Sequence, residues 1–128
     1  MIKFTKEQVL NLYKLMTDAS GGTIGVRDIS LLESALEAPF HTFFNQELYP
    51  SLIEKAARLG YGLVANHPFV DGNKRIGVFV MLTFLKVNKI NISFTNKEIE
   101  NMALNLADGT YKYEDILNIL KNKHKGNI

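Results

Sequence analysis

Residues 76–87, Ile-Gly-Val-Phe-Val-Met-Leu-Thr-Phe-Leu-Lys-Val, put apolar side chains on nearly every face of a helix. A helix without a polar face cannot lie on a protein surface, so this segment belongs at the centre of a bundle. Its run from Ile76 to Leu85 is interrupted by Thr83 and falls well short of the roughly 20 apolar residues that span a bilayer.

The rest of the chain supplies helices to surround it. Thr5 with Gln8, Ser30 with Glu33, Ser51 with Glu54 and Thr95 with Glu98 have the spacing of a capping box, in which each end satisfies a backbone N–H of the other. The first opens a helix carrying Val9, Leu12, Tyr13 and Met16 on one face, closed by Ser20-Gly21-Gly22. The second covers about Ile29 to Ala38 and stops at Pro39. The third carries Leu52, Ala56, Leu59 and Leu63 and ends at Asn66-His67-Pro68. The fourth runs to about Ala107, and after Asp108-Gly109 a last helix spans about Tyr113 to Lys123. Between Ile90 and Phe94 the apolar residues alternate briefly, and His41 to Pro50 is aromatic with no helical period. The expectation is an all-α bundle of about six helices in one domain, 1–128, with a short hairpin-like region near residue 43.

Composition excludes several classes. Fifteen Lys and Arg against 13 Asp and Glu give a net charge of +2, too mild to indicate nucleic-acid binding, so no direct DNA contact is expected. Lys112, Lys121, Lys123, His124 and Lys125 read as a solvated helix end that complements the helix dipole. The absence of cysteine removes disulfides and thiolate metal sites and favours a reducing compartment. With no signal-peptide core at the N-terminus, the chain reads as soluble and cytoplasmic, without membrane association.

The segment that stability does not account for is His67-Pro68-Phe69-Val70-Asp71-Gly72-Asn73-Lys74-Arg75, directly before the most apolar helix. The free N–H groups at a helix N-terminus form an anion site. Gly72 lets backbone approach a phosphate closely, and Lys74 and Arg75 add positive charge. Lys-Arg at a helix start opposes the dipole, a cost that a bound anion offsets. Asp71 supplies a hard oxygen suited to Mg²⁺ shared with phosphate oxygens. His67 is placed to act as a general base near neutral pH, and Phe69 reads as an apolar anchor. Taken singly, a His beside Pro is an ordinary helix end and Asp-Gly-Asn an ordinary turn. Together they are a base, a metal ligand and a phosphate cradle, the parts of a phosphoryl- or nucleotidyl-transfer site.

Residues 67–75 match every fixed position of His-x-Phe-x-(Asp/Glu)-(Gly/Ala)-Asn-(Gly/Lys)-Arg, and through them the chain resembles the Fic/Doc family. From average residue usage, a chance match in a chain of this length is on the order of one in a million. Gly25-Val26-Arg27-Asp28 leading to Leu31-Leu32-Glu33-Ser34-Ala35-Leu36, and Leu48-Tyr49-Pro50, are similar to the Doc branch. The resemblance implies a Fic-fold helical bundle with ATP or another nucleoside triphosphate and Mg²⁺ at the site. It implies His67 as the base toward a target hydroxyl and Asp71 as the metal ligand. Gly72, Asn73, Lys74 and Arg75 then contact phosphates. The resemblance also implies, by position, a flap at about Thr42 to Glu47, including Phe43, Phe44 and Asn45, that positions the target peptide.

Two positions bear on the subtype. AMP-transferring members have Gly where this chain has Lys74, and a second Arg where it has Val78. Doc-type members share the features seen here, which implies transfer of a γ-phosphate to a Ser or Thr of translation elongation factor Tu. It further implies a toxin of a type II toxin–antitoxin system, with an antitoxin protein as partner. AMP or UMP transfer, and a catalytically silent module that binds nucleotide or protein, stand as alternatives. The intact His67, Asp71, Asn73 and Arg75 weigh against the silent module. Thr110 to Glu114 approaches the family's inhibitory motif but is followed by Asp115 where that motif has Gly or Asn, and reads as an ordinary helix start. Arg27 and Asp28 read as capping or bracing a helix, Tyr61 as core, and His41 as structural or exposed.

Overall fold

The computed structural model describes residues 1–126; Asn127 and Ile128, counted in the expected 1–128 domain, lie outside them. Six α-helices account for most of the chain: α1 (Lys6–Ser20), α2 (Ile29–Glu37), α3 (Leu52–Asn66), α4 (Asn73–Val87), α5 (Asn96–Ala107) and α6 (Tyr113–Gly126). A 3₁₀ turn, Ala38–Phe40, follows α2 and leads into a two-stranded antiparallel hairpin of β1 (Thr42–Phe43) and β2 (Gln46–Glu47). The mostly helical architecture with one short hairpin is the one expected. No described helix is long and apolar enough to cross a membrane.

Three of the four expected capping boxes form. Thr5, Ser51 and Thr95 each accept from the N–H three residues on, and Gln8, Glu54 and Glu98 reach back to the cap N–H at 2.8, 3.2 and 2.9 Å. The exception is α2. Its N-cap is Asp28, whose Oδ1 accepts from the N–H of Ser30 at 2.9 Å and of Leu31 at 3.3 Å, and Ser30 spends its hydroxyl on the same oxygen. A carboxylate two residues upstream outcompetes a serine hydroxyl because it accepts several donors at once.

The bundle has two central helices. α4 buries Ile76, Val78, Val80, Met81, Phe84 and Leu85, and packs against α1, α3 and α5. α3 packs against α2, the 3₁₀ turn, α4, α5 and α6, and its contact with α4 is the most extensive in the molecule. The two helices approach closely because glycines face each other across the seam. A Cβ on Gly77 would lie 2.5 Å from Val64 Cγ2 and 3.2 Å from the Gly60 carbonyl, and one on Gly60 would lie 2.7 Å from Met81 Sδ. That approach brings the C-terminus of α3 beside the N-terminus of α4, where the nine-residue segment 67–75 sits.

α4 starts three residues earlier than the apolar run at Ile76. Gly72, left-handed at φ 83°, stands at the N-cap, and its carbonyl accepts from the Ile76 N–H at 2.9 Å. Asn73, Lys74 and Arg75 therefore form the first turn of the helix. The alternating stretch Ile90 to Phe94 lies half-buried against the core but forms no strand.

Candidate active site

The loop is built from its buried anchor outward. Phe69 is fully buried, and its ring stacks on Tyr13 of α1 with centroids 3.9 Å apart and planes 15° from parallel. Its backbone is held twice. Val26 pairs with it in an isolated antiparallel bridge, flanked by the Val70 N–H donating to the Gly25 carbonyl at 2.9 Å. The Asn73 side chain spans it, Oδ1 accepting from the Phe69 N–H and Nδ2 donating to the Phe69 carbonyl, both at 2.9 Å. Asn73 is buried, so its amide works on the loop and faces away from solvent. What it offers outward is its backbone N–H, at the first position of α4.

Tyr13 fixes the acidic residue as well. Its hydroxyl donates to the Asp71 carbonyl at 2.9 Å, with the Thr23 carbonyl 3.1 Å away. The Asp71 carboxylate itself is exposed; Oδ1 accepts from the Gly72 N–H at 2.8 Å, and Oδ2 has a long 3.4 Å contact from the Thr23 N–H. The α1–α2 loop thus passes directly over the site. A side chain at Gly22 would crowd it, since a Cβ there would lie 3.2 Å from Asp71 Oδ2 and 3.4 Å from Arg75 Nη2.

His67 closes α3 in the left-handed conformation, φ 53° and ψ 53°, with its side chain exposed. Arg27 braces it: Nε donates to the His67 carbonyl at 2.7 Å and Nη2 to the Asn66 carbonyl at 3.1 Å. Next to it, the carboxyl of the cap Asp28 is held below its ordinary value, first by the Ser30 hydroxyl and then by the helix N–H groups.

Across the gap, α4 begins with no side chain capping its first N–H groups, because the N-cap is glycine. His67, Asp71, Gly72, Asn73, Lys74 and Arg75 line one cavity of about 220 Å³, completed by Val64, Val70 and Ala107 at the end of α5. The residues singled out in the loop are therefore brought together. Uncapped N–H groups, the αL glycine and two exposed cations make one wall suited to an anion. Among the described residues no three His, Cys, Asp or Glu converge as a self-contained metal site. A lone exposed carboxylate beside an anion wall fits Mg²⁺, which takes one or two carboxylates and completes its shell with substrate phosphates and water.

The hairpin residues Phe43, Phe44 and Asn45 do not line this cavity. Phe44 and Asn45 form the turn at positive φ, and Phe44 is 86% exposed. The hairpin is tied to α3 through Lys55, only 2% exposed, whose Nζ donates to Glu47 Oε1 at 2.8 Å and to the Tyr49 carbonyl. His41 is exposed, and Tyr61 packs partly buried against the core beside Arg58.

A second, larger groove of about 700 Å³ runs from Lys74 and Arg75 along α4 toward Lys86, between α1 and α5. Its lining is largely apolar, with Met16, Phe79, Leu82, Ile99 and Leu104; Phe79 and Leu104 are 44% and 54% exposed. Val78 lies buried along it.

Tyr13, and Asn73 in its loop-bracing role, are not distinguished by local pattern. Arg27 carries one signal: a cation immediately before a helix N-cap opposes the dipole, the same local cost seen at Lys74-Arg75.

A model of the Fic/DOC family matches residues 3–85, which take in α1 through most of α4 and every loop residue described above. The protein named Toxin Doc from Mycolicibacterium smegmatis is 41% identical over 75 residues, which is 59% of this chain and 58% of that relative's length. With the family match extending over well more than half of its residues, the chain belongs to the Fic/DOC family.

Proposed function

We propose that this chain is a Doc-type toxin that transfers the γ-phosphate of ATP, or another nucleoside triphosphate, to a Ser or Thr hydroxyl of translation elongation factor Tu. The observation that carries the reading is that His67, Asp71 and the uncapped first turn of α4 line one cavity.

In this reading the phosphates lie against the first N–H groups of α4, with Lys74 and Arg75 neutralising their charge. Asp71 would hold Mg²⁺, which would draw charge from the transferring group. His67 accepts the proton of the target hydroxyl as its oxygen bonds to the γ-phosphorus. The bond from that phosphorus to the β–γ bridging oxygen breaks, and the nucleoside diphosphate leaves. Asn73 supports the site through its backbone N–H and through the loop that its side chain clamps.

Lys74 and Val78 favour phosphoryl over nucleotidyl transfer. An exposed lysine stands in the wall where a glycine would leave the phosphate nest open, and a buried valine stands where a second arginine would grip the far end of a triphosphate. The hairpin Thr42–Glu47 serves as the flap for the target peptide.

The larger groove supports an antitoxin partner: an amphipathic helix would bury its apolar face against Phe79, Leu82 and Leu104 while meeting the cations at Lys74, Arg75 and Lys86. The name of the smegmatis relative is consistent with a toxin. The segment Thr110 to Glu114 does not take the inhibitor's place: Glu114 is an exposed first-turn residue of α6 and does not line the cavity.

The test is incubation of the protein with a bacterial lysate and Mg²⁺-ATP labelled on either the α- or the γ-phosphate. The proposal expects γ-label alone on a band at the size of elongation factor Tu. Transfer of α-label would instead establish the AMP-transferase reading.

A further inference from the structure

The end of α3 is an unusual helix terminus. A left-handed residue after a helix ordinarily lets the next N–H groups fold back on the last carbonyls, and glycine is the usual occupant. Here the left-handed residue is His67, in a conformation that non-glycine residues seldom adopt. The residue after it is Pro68, which has no N–H to donate, so that backbone closure cannot form. The terminal carbonyls find their partner 40 residues upstream in sequence.

That partner is Arg27. Its guanidinium takes the Asn66 and His67 carbonyls, at 3.1 and 2.7 Å, and its own N–H takes the Pro68 carbonyl at 2.7 Å. One residue thus binds three consecutive carbonyls centred on His67. Arg27 is in turn held by its neighbour, since Asp28 caps α2 and also donates its N–H to the Pro68 carbonyl at 3.1 Å. A planar fork meets two carbonyls at once with little loss of freedom, which the single point of a lysine does not.

We infer that Arg27 is a positioning residue: it holds the His67 backbone left-handed so that the imidazole faces the cavity. Arg27 does not itself line that cavity. Its function for the reaction rests on the reading of His67 as the base, but its hold on the imidazole does not.

The experiment compares wild type with Arg27→Gln, Arg27→Lys, His67→Ala and the double variant Arg27→Gln/His67→Ala. Two measurements are made on the folded proteins: the imidazole ¹H–¹³C spectrum, and γ-phosphoryl transfer to purified elongation factor Tu. In Arg27→Gln the His67 resonances are expected to move while those of His41 and His124 stay in place. The turnover rate falls by about 10- to 100-fold, the scale of a misplacement near 1 Å, while nucleotide affinity is unchanged. In the double variant Arg27→Gln costs nothing beyond His67→Ala. Arg27→Lys, which keeps the charge and loses the fork, shows the same resonance shift even where the glutamine variant fails to fold. Unmoved His67 resonances in either folded variant overturn the inference, as does an equal further loss from Arg27→Gln in the His67→Ala background. A moved imidazole with transfer unaffected by His67→Ala upholds the positioning and overturns the function proposed for the base.

Discussion

Asn73 makes both side-chain hydrogen bonds to one residue, accepting from the Phe69 N–H and donating to its carbonyl, and so turns the loop before α4 into a closed ring. Both contacts are buried, and removing the amide leaves two backbone groups of Phe69 without partners. Asn73→Ala is expected to destabilise the fold by about 2–4 kcal/mol, since each buried group left unsatisfied costs about 1–3 kcal/mol. Urea unfolding measures it. A loss below about 0.5 kcal/mol, the size of an ordinary surface substitution, would contradict the clamp.

Lys55 links the hairpin to the same helix that ends in His67. Lys55→Met keeps the apolar stem but drops the bonds to Glu47 and Tyr49, and is expected to cost about 1.5–3 kcal/mol in urea unfolding, the range for hydrogen bonds to a charged group. If the hairpin is the target flap, KM for the protein substrate rises while nucleotide affinity holds. An unchanged KM with a loosened hairpin would remove the flap from the account.

Among the described residues, Asp71 is the one acidic side chain that lines the cavity. Asp71→Asn replaces a charged hard ligand by a neutral one of the same shape, so nucleotide affinity measured by calorimetry should lose its dependence on Mg²⁺. Affinity in the absence of Mg²⁺ should hold or rise, because a negative charge beside the phosphates is gone. Retention of the full Mg²⁺ effect would assign the ion to other residues.

The Tyr113 hydroxyl, next to Tyr49 at a ring distance of 5.3 Å, is pushed up to about 12, first by burial and then by the Glu54 carboxylate. Above its ordinary value of 10.0 the unfolded chain gives up a proton that the folded chain keeps. The associated stability is therefore present below about pH 10 and is lost as pH rises toward about 12. Urea midpoints of wild type and Tyr113→Phe, compared from pH 9 to pH 12 (about three pH units), should show wild type falling more steeply. Parallel curves would mean that Tyr113 titrates as an ordinary tyrosine.

Much of this architecture was legible in the sequence because the signals are local. Thr5, Ser51 and Thr95 cap as read, for the partner of each lies three residues away. Ser30 misled because Asp28 stood within reach of the same N–H groups, and spacing alone does not rank two acceptors. Apolar periodicity puts the start of α4 at Ile76, whereas the helix is set by the left-handed Gly72. The loop motif identified the residues that share the cavity. It did not show that the Asn73 amide turns inward, nor that Tyr13 and Arg27 hold Asp71 and His67 across separations of 58 and 40 residues. Contacts at that range leave no periodic trace in a single sequence.

On the proposed function, His67 is the base of a γ-phosphoryl transfer made at the N-terminus of α4. The most direct measurement is the rate of γ-label incorporation into purified elongation factor Tu by wild type and by His67→Ala, with nucleotide binding measured alongside. Loss of a general base lowers the rate by about 10²- to 10⁴-fold, while the phosphate cradle keeps its affinity for nucleotide. Transfer by His67→Ala within a few-fold of wild type would contradict the claim.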